Sequence, residues 1–256
     1  MKFNLSSSLK SILLASCLFS MMTNAALINR GNGMIYDDVL DVTWLQDANY
    51  ARTSGFDSDG LVSWTSANTW VQNLNFGGYS DWRLPAITPI NGSSFNTGFS
   101  FNGTTDRGYN ISPNTNELLY MFEINLGNAS VFNPNGIFAG NINPAFNASF
   151  IDGESGLTYS FENIAASYWN DVIDTPFVNA AWGVNFKTSS DVSIGETALF
   201  VSASNLGIWA LRDGDVTSTL SPPDNTSPDG VLSEPNALIL MSIGLLAFSS
   251  VRRKTR

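Results

Sequence analysis

Ser63-Trp64-Thr65-Ser66-Ala67-Asn68-Thr69-Trp70-Val71-Gln72-Asn73-Leu74 carries apolar side chains at 64, 67, 70, 71 and 74, the stripe of an amphipathic helix. Ser63 suits the N-cap, where a side-chain oxygen accepts an otherwise unpaired N–H, and Gly77-Gly78 suits the stop. A second helix is predicted from about Thr115 to Leu126, with Leu118, Leu119, Phe122 and Leu126 on one side. Asn114 followed by Glu117 reads as a variant capping box, and Gly127 as the C′ residue. Around these two segments the pattern changes period. Met34-Ile35-Tyr36 and Val42-Thr43-Trp44-Leu45 read as an opening hairpin about Asp37-Asp38. Trp182, Val184 and Phe186 alternate with small or polar residues, and Ile208-Trp209-Ala210-Leu211 has the length of one buried strand. Two helices followed by late strands predict an α+β domain built on an antiparallel sheet.

Two long Asn/Gly/Phe-rich passages, residues 88–110 and 133–150, interrupt this pattern. Loops of that length are functional or irregularly hairpinned. Phe95, Phe99 and Phe101 are expected mainly to tuck the first passage onto the core. Those rings left exposed would stack on a ligand, with Asn102 and Arg107 supplying polar contacts.

The chain has 256 residues, 12 basic and 22 acidic, with 43% hydrophobic and 12% aromatic content, enough for a real core and too apolar for general disorder. Histidine is absent, which removes Ser-His-Asp and Cys-His nucleophile pairs and histidine-bound zinc. The net charge of −10 repels phosphate backbones and argues against nucleic acid as a partner.

Residues 1–25 read as a secretory leader. Lys2 and Lys10 precede an apolar run ending near Met21-Met22, and Thr23-Asn24-Ala25 sets cleavage between Ala25 and Ala26. Leu14-Ala15-Ser16-Cys17 also fits a lipobox, but few apolar residues separate Lys10 from Cys17 and the run continues past it, favouring ordinary cleavage. Cys17 is the only cysteine, so its loss with the leader removes disulfides and thiol chemistry.

At the other end, residues 217–232 form a Pro/Ser/Asp linker and residues 233–256 a tripartite tail. Ser233-Glu234-Pro235-Asn236 precedes a predominantly apolar stretch of fifteen residues, Ala237 to Val251, and Arg252-Arg253-Lys254-Thr255-Arg256 closes the chain. Fifteen helical residues reach about 22 Å, short of a hydrocarbon core of about 30 Å unless the bilayer thins or the arginines snorkel. The basic end is expected to stay cytoplasmic, leaving the body outside. Six of the basic residues and, among the acids, only Glu234 lie outside Ala26 to Ser233, so the body between them carries −15. It is expected to stay off anionic membranes.

This tail resembles the PEP-CTERM sorting signal of exopolysaccharide-producing Gram-negative bacteria. That resemblance implies recognition and removal by an exosortase-type enzyme, with only a transient inner-membrane anchor. Ser233, Glu234 and Pro235 stand where the family has Pro-Glu-Pro, so the first proline is missing.

The body carries a second resemblance. Val42-Thr43-Trp44-Leu45-Gln46-Asp47-Ala48-Asn49-Tyr50 and Gly77-Gly78-Tyr79-Ser80-Asp81-Trp82-Arg83-Leu84-Pro85 are similar to segments of the Lcl C-terminal domain family, formerly a domain of unknown function. Further matching segments lie at Thr105 to Asn110, Asn116 to Leu119, Tyr168-Trp169, Ala181 to Phe186 and Trp209 to Asp215. The resemblance covers about residues 31–216, and residues 26–216, which show no internal boundary, are read as one domain. The resemblance implies a C-type-lectin-like fold: a twisted antiparallel sheet, two flanking helices and long irregular loops. The namesake adhesin's sulfated-glycan binding uses a basic surface, which this acidic chain lacks.

Several motifs have a plainer structural reading. Trp169-Asn170-Asp171 and Glu234-Pro235-Asn236 imitate lectin calcium motifs, but occur in the reverse order, the second within the tail. Trp169 is expected in a strand. Arg83 and Arg212 are expected to pair with carboxylates such as Asp81 or Asp213, fixing local geometry beside Trp82, in preference to clamping an anion. Asp57 and Asp59 begin what resembles a calcium loop, and Asp106 is another oxygen donor, but no later glutamate completes EF-hand spacing. No cofactor is expected, calcium being the one option kept. Lys187 is the only lysine between the two terminal signals, and no Ser-x-x-Lys precedes it. The expected function is a non-catalytic surface or matrix protein binding exopolysaccharide or another envelope component. A protein-binding adhesive role and a carboxylate-pair glycosidase are the alternatives.

Overall fold

The computed structural model describes residues 26–139, 145–173, 179–189 and 191–216. The leader, the linker and the sorting tail read from the sequence lie outside these residues. The described architecture is α+β and mostly sheet. Its elements begin with β1 (Leu27–Gly31), β2 (Met34–Asp37), β3 (Val42–Leu45), helix α1 (Tyr50–Thr53), β4 (Leu61–Val62) and helix α2 (Trp64–Asn73). Strands β5 (Phe99–Ser100) and β6 (Arg107–Tyr109) follow, then a 3-10 turn at Pro113–Thr115. One α-turn, α3 (Glu117–Leu119), widens into a π-helical stretch at Tyr120–Asn125. The remaining strands are β7 (Ser149–Ile151), β8 (Thr158–Ser160), β9 (Ser167–Ile173), β10 (Ala180–Lys187), β11 (Ser193–Val201), β12 (Leu206–Gly207) and β13 (Leu211–Asp213).

Strands β1-β2-β3-β13 form a four-stranded antiparallel sheet, and β4-β12-β9-β10-β11-β6-β5 a seven-stranded one, with β7-β8 a separate hairpin. The predicted opening hairpin is present, pairing Ile35 with Trp44 and Asp37 with Val42. The expectation of a purely antiparallel sheet is corrected at two places, since β12 runs parallel to β9 and β5 parallel to β6. Strand β10 is covered on both faces: Ala181, Trp182, Val184 and Phe186 are all fully buried. That double coverage explains its nearly continuous apolar sequence.

The predicted single strand at Ile208-Trp209-Ala210-Leu211 is also corrected. Pairing stops after Gly207 and resumes at Leu211, because the chain leaves one sheet there and enters the other. Trp209 fills the crossing. It is fully buried, its indole N–H donates to Leu45 O at 2.8 Å, and its ring meets Trp44, Phe161 and Tyr168 at 5.2, 4.9 and 5.3 Å. A ladder hydrogen-bond pattern and a wedge between two sheets make opposite demands on the same three residues.

The helix at Trp64 has the predicted N-cap, Ser63, which accepts from Ser66 N–H. It ends at Asn73, however, before Gly77-Gly78. Those glycines, at φ +64° and +86°, make the two-residue turn that pairs Phe76 with Tyr79. The second helix is capped by Asn116 instead of Asn114, with the Asn116 side chain accepting from Leu118 N–H. Its i→i−5 bond from Leu126 N–H to Met121 O marks the π geometry, while Leu118, Leu119, Phe122 and Leu126 are buried as predicted. Gly127 takes the left-handed conformation expected of it, at φ +64°.

Candidate functional site

Turn 77–78 delivers Tyr79 to Pro85 as a strap across the two sheets. Arg83 exchanges both backbone hydrogen bonds with Leu211, extending the four-stranded sheet beyond β13. Two residues later Pro85 O accepts from Asp171 N–H and from Asn170 Nδ2, which belong to β9 of the other sheet. Trp82 is buried, donates to Tyr79 O at 3.1 Å and packs edge-on to Phe76.

Arg83 of the strap and Arg212 of β13 are both engaged. Arg83 meets Glu117 through two bonds of 2.7 and 2.8 Å and Asp213 at 2.6 and 2.9 Å. Burial opposes its charge, yet these carboxylates hold the guanidinium protonated above its ordinary range. Arg212 binds Asp81 through two 2.8 Å bonds and lies 4.4 Å from the Tyr79 ring centre. That hydrogen bonding holds the Asp81 carboxyl below its usual range. The structural reading of Asp81, Trp82, Arg83 and Arg212 therefore agrees with the geometry, as does that of Trp169, buried in β9 with its N–H on Val62 O at 2.7 Å.

Asp171 stands beside this network. Burial pushes its carboxyl up to about 6, the Ile87 N–H working against that shift and the Glu117 charge adding to it. Asp171 and Glu117 are thus a pair of neighbouring carboxyls, but Glu117 is spent on Arg83 and on Ala86 N–H at 2.6 Å. Asp171 in turn accepts from Ile87 N–H at 3.1 Å.

The calcium candidates are occupied by backbone. Asp57 accepts from Asp59 and Gly60 N–H, and Asp59 from Leu61 N–H, which forms the turn before α2. Asp106 is buried and accepts Ile90 N–H at 2.7 Å and Asn96 N–H at 2.6 Å, pinning the first long loop to itself. Among the described residues no three Asp, Glu, His or Cys side chains gather where they could hold a metal ion.

The two long loops converge on one another. Asn110 Nδ2 donates to Phe101 O at 2.7 Å and to Phe132 O at 2.9 Å, clamping residues 99–110 to 131–138. Above the clamp, Phe101 stacks on Tyr109 with planes 6° apart and meets Phe132 at 5.0 Å, while Tyr109 meets Phe132 at 4.8 Å. Strands β5 and β6 approach so closely that a Cβ on Gly108, at φ +121°, would lie 1.9 Å from Ser100 O. Only glycine fits there. Two rings ride on this locked base and face solvent: Phe99 is 46% exposed and Phe138 57% exposed. Phe99 touches Phe101 and Tyr109, and Phe138 touches Phe132.

Arg107 differs from Arg83 and Arg212. Its guanidinium lies 6.0 Å from the Phe99 ring centre, and its buried Nε has no hydrogen-bond partner among the described residues. The Tyr109 hydroxyl, facing Glu196, is pushed up to about 12 by burial and by that carboxylate. Asn102 is exposed, its Oδ1 taken by Thr104.

Of the proposed contact residues, Phe99, Phe101, Asn102 and Arg107 thus share one surface region, and Phe95 does not. It is half-buried against Trp182 at 4.9 Å, the packing role expected for all three phenylalanines. Phe132, Phe138 and Tyr109 were not singled out from the sequence. A signal for the first two was present, because Asn135-Gly136 between Phe132 and Phe138 is a hairpin turn sequence, and these two phenylalanines pair across it.

A shallow groove of about 420 Å³ lies elsewhere, lined by Phe56, Thr65, Ser66, Thr69, Trp70 and Asn73 on the outer side of α2. Among the described residues no helix is long and apolar enough to cross a membrane. No family model matches the chain, and neither a curated protein nor a solved structure matches it.

Proposed function

We propose that this chain is an exported, non-catalytic surface or matrix protein of C-type-lectin-like arrangement, in which the paired-loop aromatic patch contacts exopolysaccharide or another envelope glycan. In this reading the leader and the PEP-CTERM-type tail direct export, an exosortase-type enzyme removes the tail, and the body remains outside the cell. The observation that carries the binding reading is the exposure of Phe99 and Phe138 on a rigid base assembled from two separate loops. Exposed apolar patches of that kind mark interaction sites, and a flat ring offers the apolar face of a sugar a large contact at little entropic cost. The base is locked by Asn110, Asp106 and Gly108, so the rings need no ordering when a ligand arrives.

Retention of the exported protein on immobilised exopolysaccharide, with and without calcium, tests this. The double variant Phe99→Ala/Phe138→Ala is expected to weaken retention about tenfold or more, equivalent to about 1.4 kcal/mol. Phe56→Ala, outside the patch, is expected to leave it unchanged. Failure of the wild-type protein to bind any glycan sinks the reading. A double variant that binds normally, while Phe56→Ala does not, moves the site to the groove on α2.

A further inference from the structure

Ala26, the first residue expected after the leader, is built into the fold. Its N–H donates to Asp38 Oδ1 at 2.8 Å, and Asp38 N–H donates back to Ala26 O at 3.2 Å. Strand β1 starts at the next residue, Leu27, whose carbonyl accepts from Gly153 N–H at 3.0 Å. A Cβ on Gly153 would fall 2.5 Å from the Ala26 methyl, so the seat is closed on that side around a small residue.

The surroundings are acidic. Asp37 is fully buried, and burial raises its carboxyl even though Leu40 N–H, Asn125 Nδ2 and Val39 N–H bond to it; the Asp38 charge raises it further. Tyr120 is raised by burial and by the charges of Asp37 and Asp38. Asp41 is held by the Tyr36 hydroxyl, and Asp152 by Asn29 and Ser155 N–H. The nearby cation, Arg30, is committed to Asp215 and Glu154. Among the described residues the exposed Asp38 carboxylate is answered in this field only by an amide N–H.

We propose that cleavage between Ala25 and Ala26 replaces that amide with an ammonium, and that Asp38 receives it as an ion pair which the uncut chain cannot form. The inference rests on the leader reading of residues 1–25. Processing then adds a positive charge at the one place where the start of the fold already presents a carboxylate at hydrogen-bond distance. The paired amine is held protonated above the ordinary α-amino range of about 7.7–8.0. By linkage its contribution to stability is complete below that range and is lost as pH rises through the folded-state value.

The test uses the full chain expressed in an exporting Gram-negative host, with the recovered protein's N-terminus read by mass spectrometry. Its amines are then labelled near pH 7.5 with an acylating reagent. Between Ala26 and Ser233 the only other amine is that of Lys187, which is paired with Asp191 and serves as the internal folding reference. The Ala26 amine is expected to react about three- to tenfold more slowly than an ordinary α-amine. Asp38→Asn, which keeps the Oδ1 acceptor and removes the charge, should restore the ordinary rate without changing that of Lys187. The thermal midpoints of the two proteins should converge between pH 7 and pH 10. A protein that begins at Ala26 but labels equally fast with and without Asp38 overturns the ion pair and leaves the leader reading intact. A protein that begins elsewhere, or keeps residues 1–25, overturns the leader reading and the ion pair with it.

Discussion

The strap at residues 79–85 and the patch at residues 99–109 are built from the same materials, an arginine among aromatic rings with acids nearby, and they differ in what is left over. At the strap Arg83 has four carboxylate hydrogen bonds, Arg212 of the neighbouring β13 has two, and Asn170 and Asp171 bond the backbone of Pro85 and Ile87 just after Arg83. At the patch Arg107 has an exposed ring beside it and no carboxylate partner among the described residues. A saturated network fixes geometry, because every group in it would lose a partner by moving. An unsaturated one on a rigid base retains the capacity to bind. The most distinctive sequence motif therefore marks the architecture, and the less regular loop marks the candidate site.

The contrast breaks most severely if the strap can be cut without consequence. Arg83→Met leaves Glu117 and Asp213 without their cation and is expected to cost about 2–4 kcal/mol in urea unfolding. A loss below about 0.5 kcal/mol would mean that the strap does not hold the sheets. Asp106→Ala, which strips two part-buried N–H groups of their buried acceptor, is expected to cost about 1–2 kcal/mol. It should also weaken glycan retention, because the base beneath Phe99 loosens.

Titration sharpens the same comparison. Glu123 is raised to about 7 by burial on the π-helical stretch, and Asp171 to about 6. A carboxyl raised on folding contributes stability that is present below its unfolded value and lost as pH rises through the folded one. Glu123→Gln is therefore expected to leave stability unchanged near pH 4 and to add about 1–3 kcal/mol near pH 8. Asp171→Asn should show a smaller gain of the same sign, complete above about pH 7. Asp81 runs the other way: Arg212 lowers it, so its contribution is present above the unfolded carboxyl range and is lost as pH falls through the folded value. The smallest expected effect is on the patch itself. Phe99→Ala and Phe138→Ala should each change stability by less than about 1 kcal/mol, since both rings are largely solvated already.

Much of the architecture was legible in the chain. The Trp64 stripe, the Ser63 cap, the opening hairpin and the buried face of β10 follow from local period and capping chemistry, which act within a few residues. What escaped depended on distant partners. Helix α1 is only four residues long and is held by Asp47, which accepts from Asn49 N–H and from the Thr53 hydroxyl, with no hydrophobic period to announce it. The break at Ile208–Ala210 was hidden because a wedge between sheets and a strand both read as a short apolar run. The sequence also paired Arg83 and Arg212 with acids correctly in kind, but could not assign Glu117 to Arg83 across 34 residues.

The chain alone determined its secondary-structure class, its acidic balance and the histidine-free chemistry that follows, because these depend on composition and on neighbours a turn or two away. Only the tertiary structure decided which arginines are spent and which phenylalanines remain in water. Those outcomes depend on contacts closed over tens to more than a hundred residues, where the number of possible pairings exceeds what spacing can select.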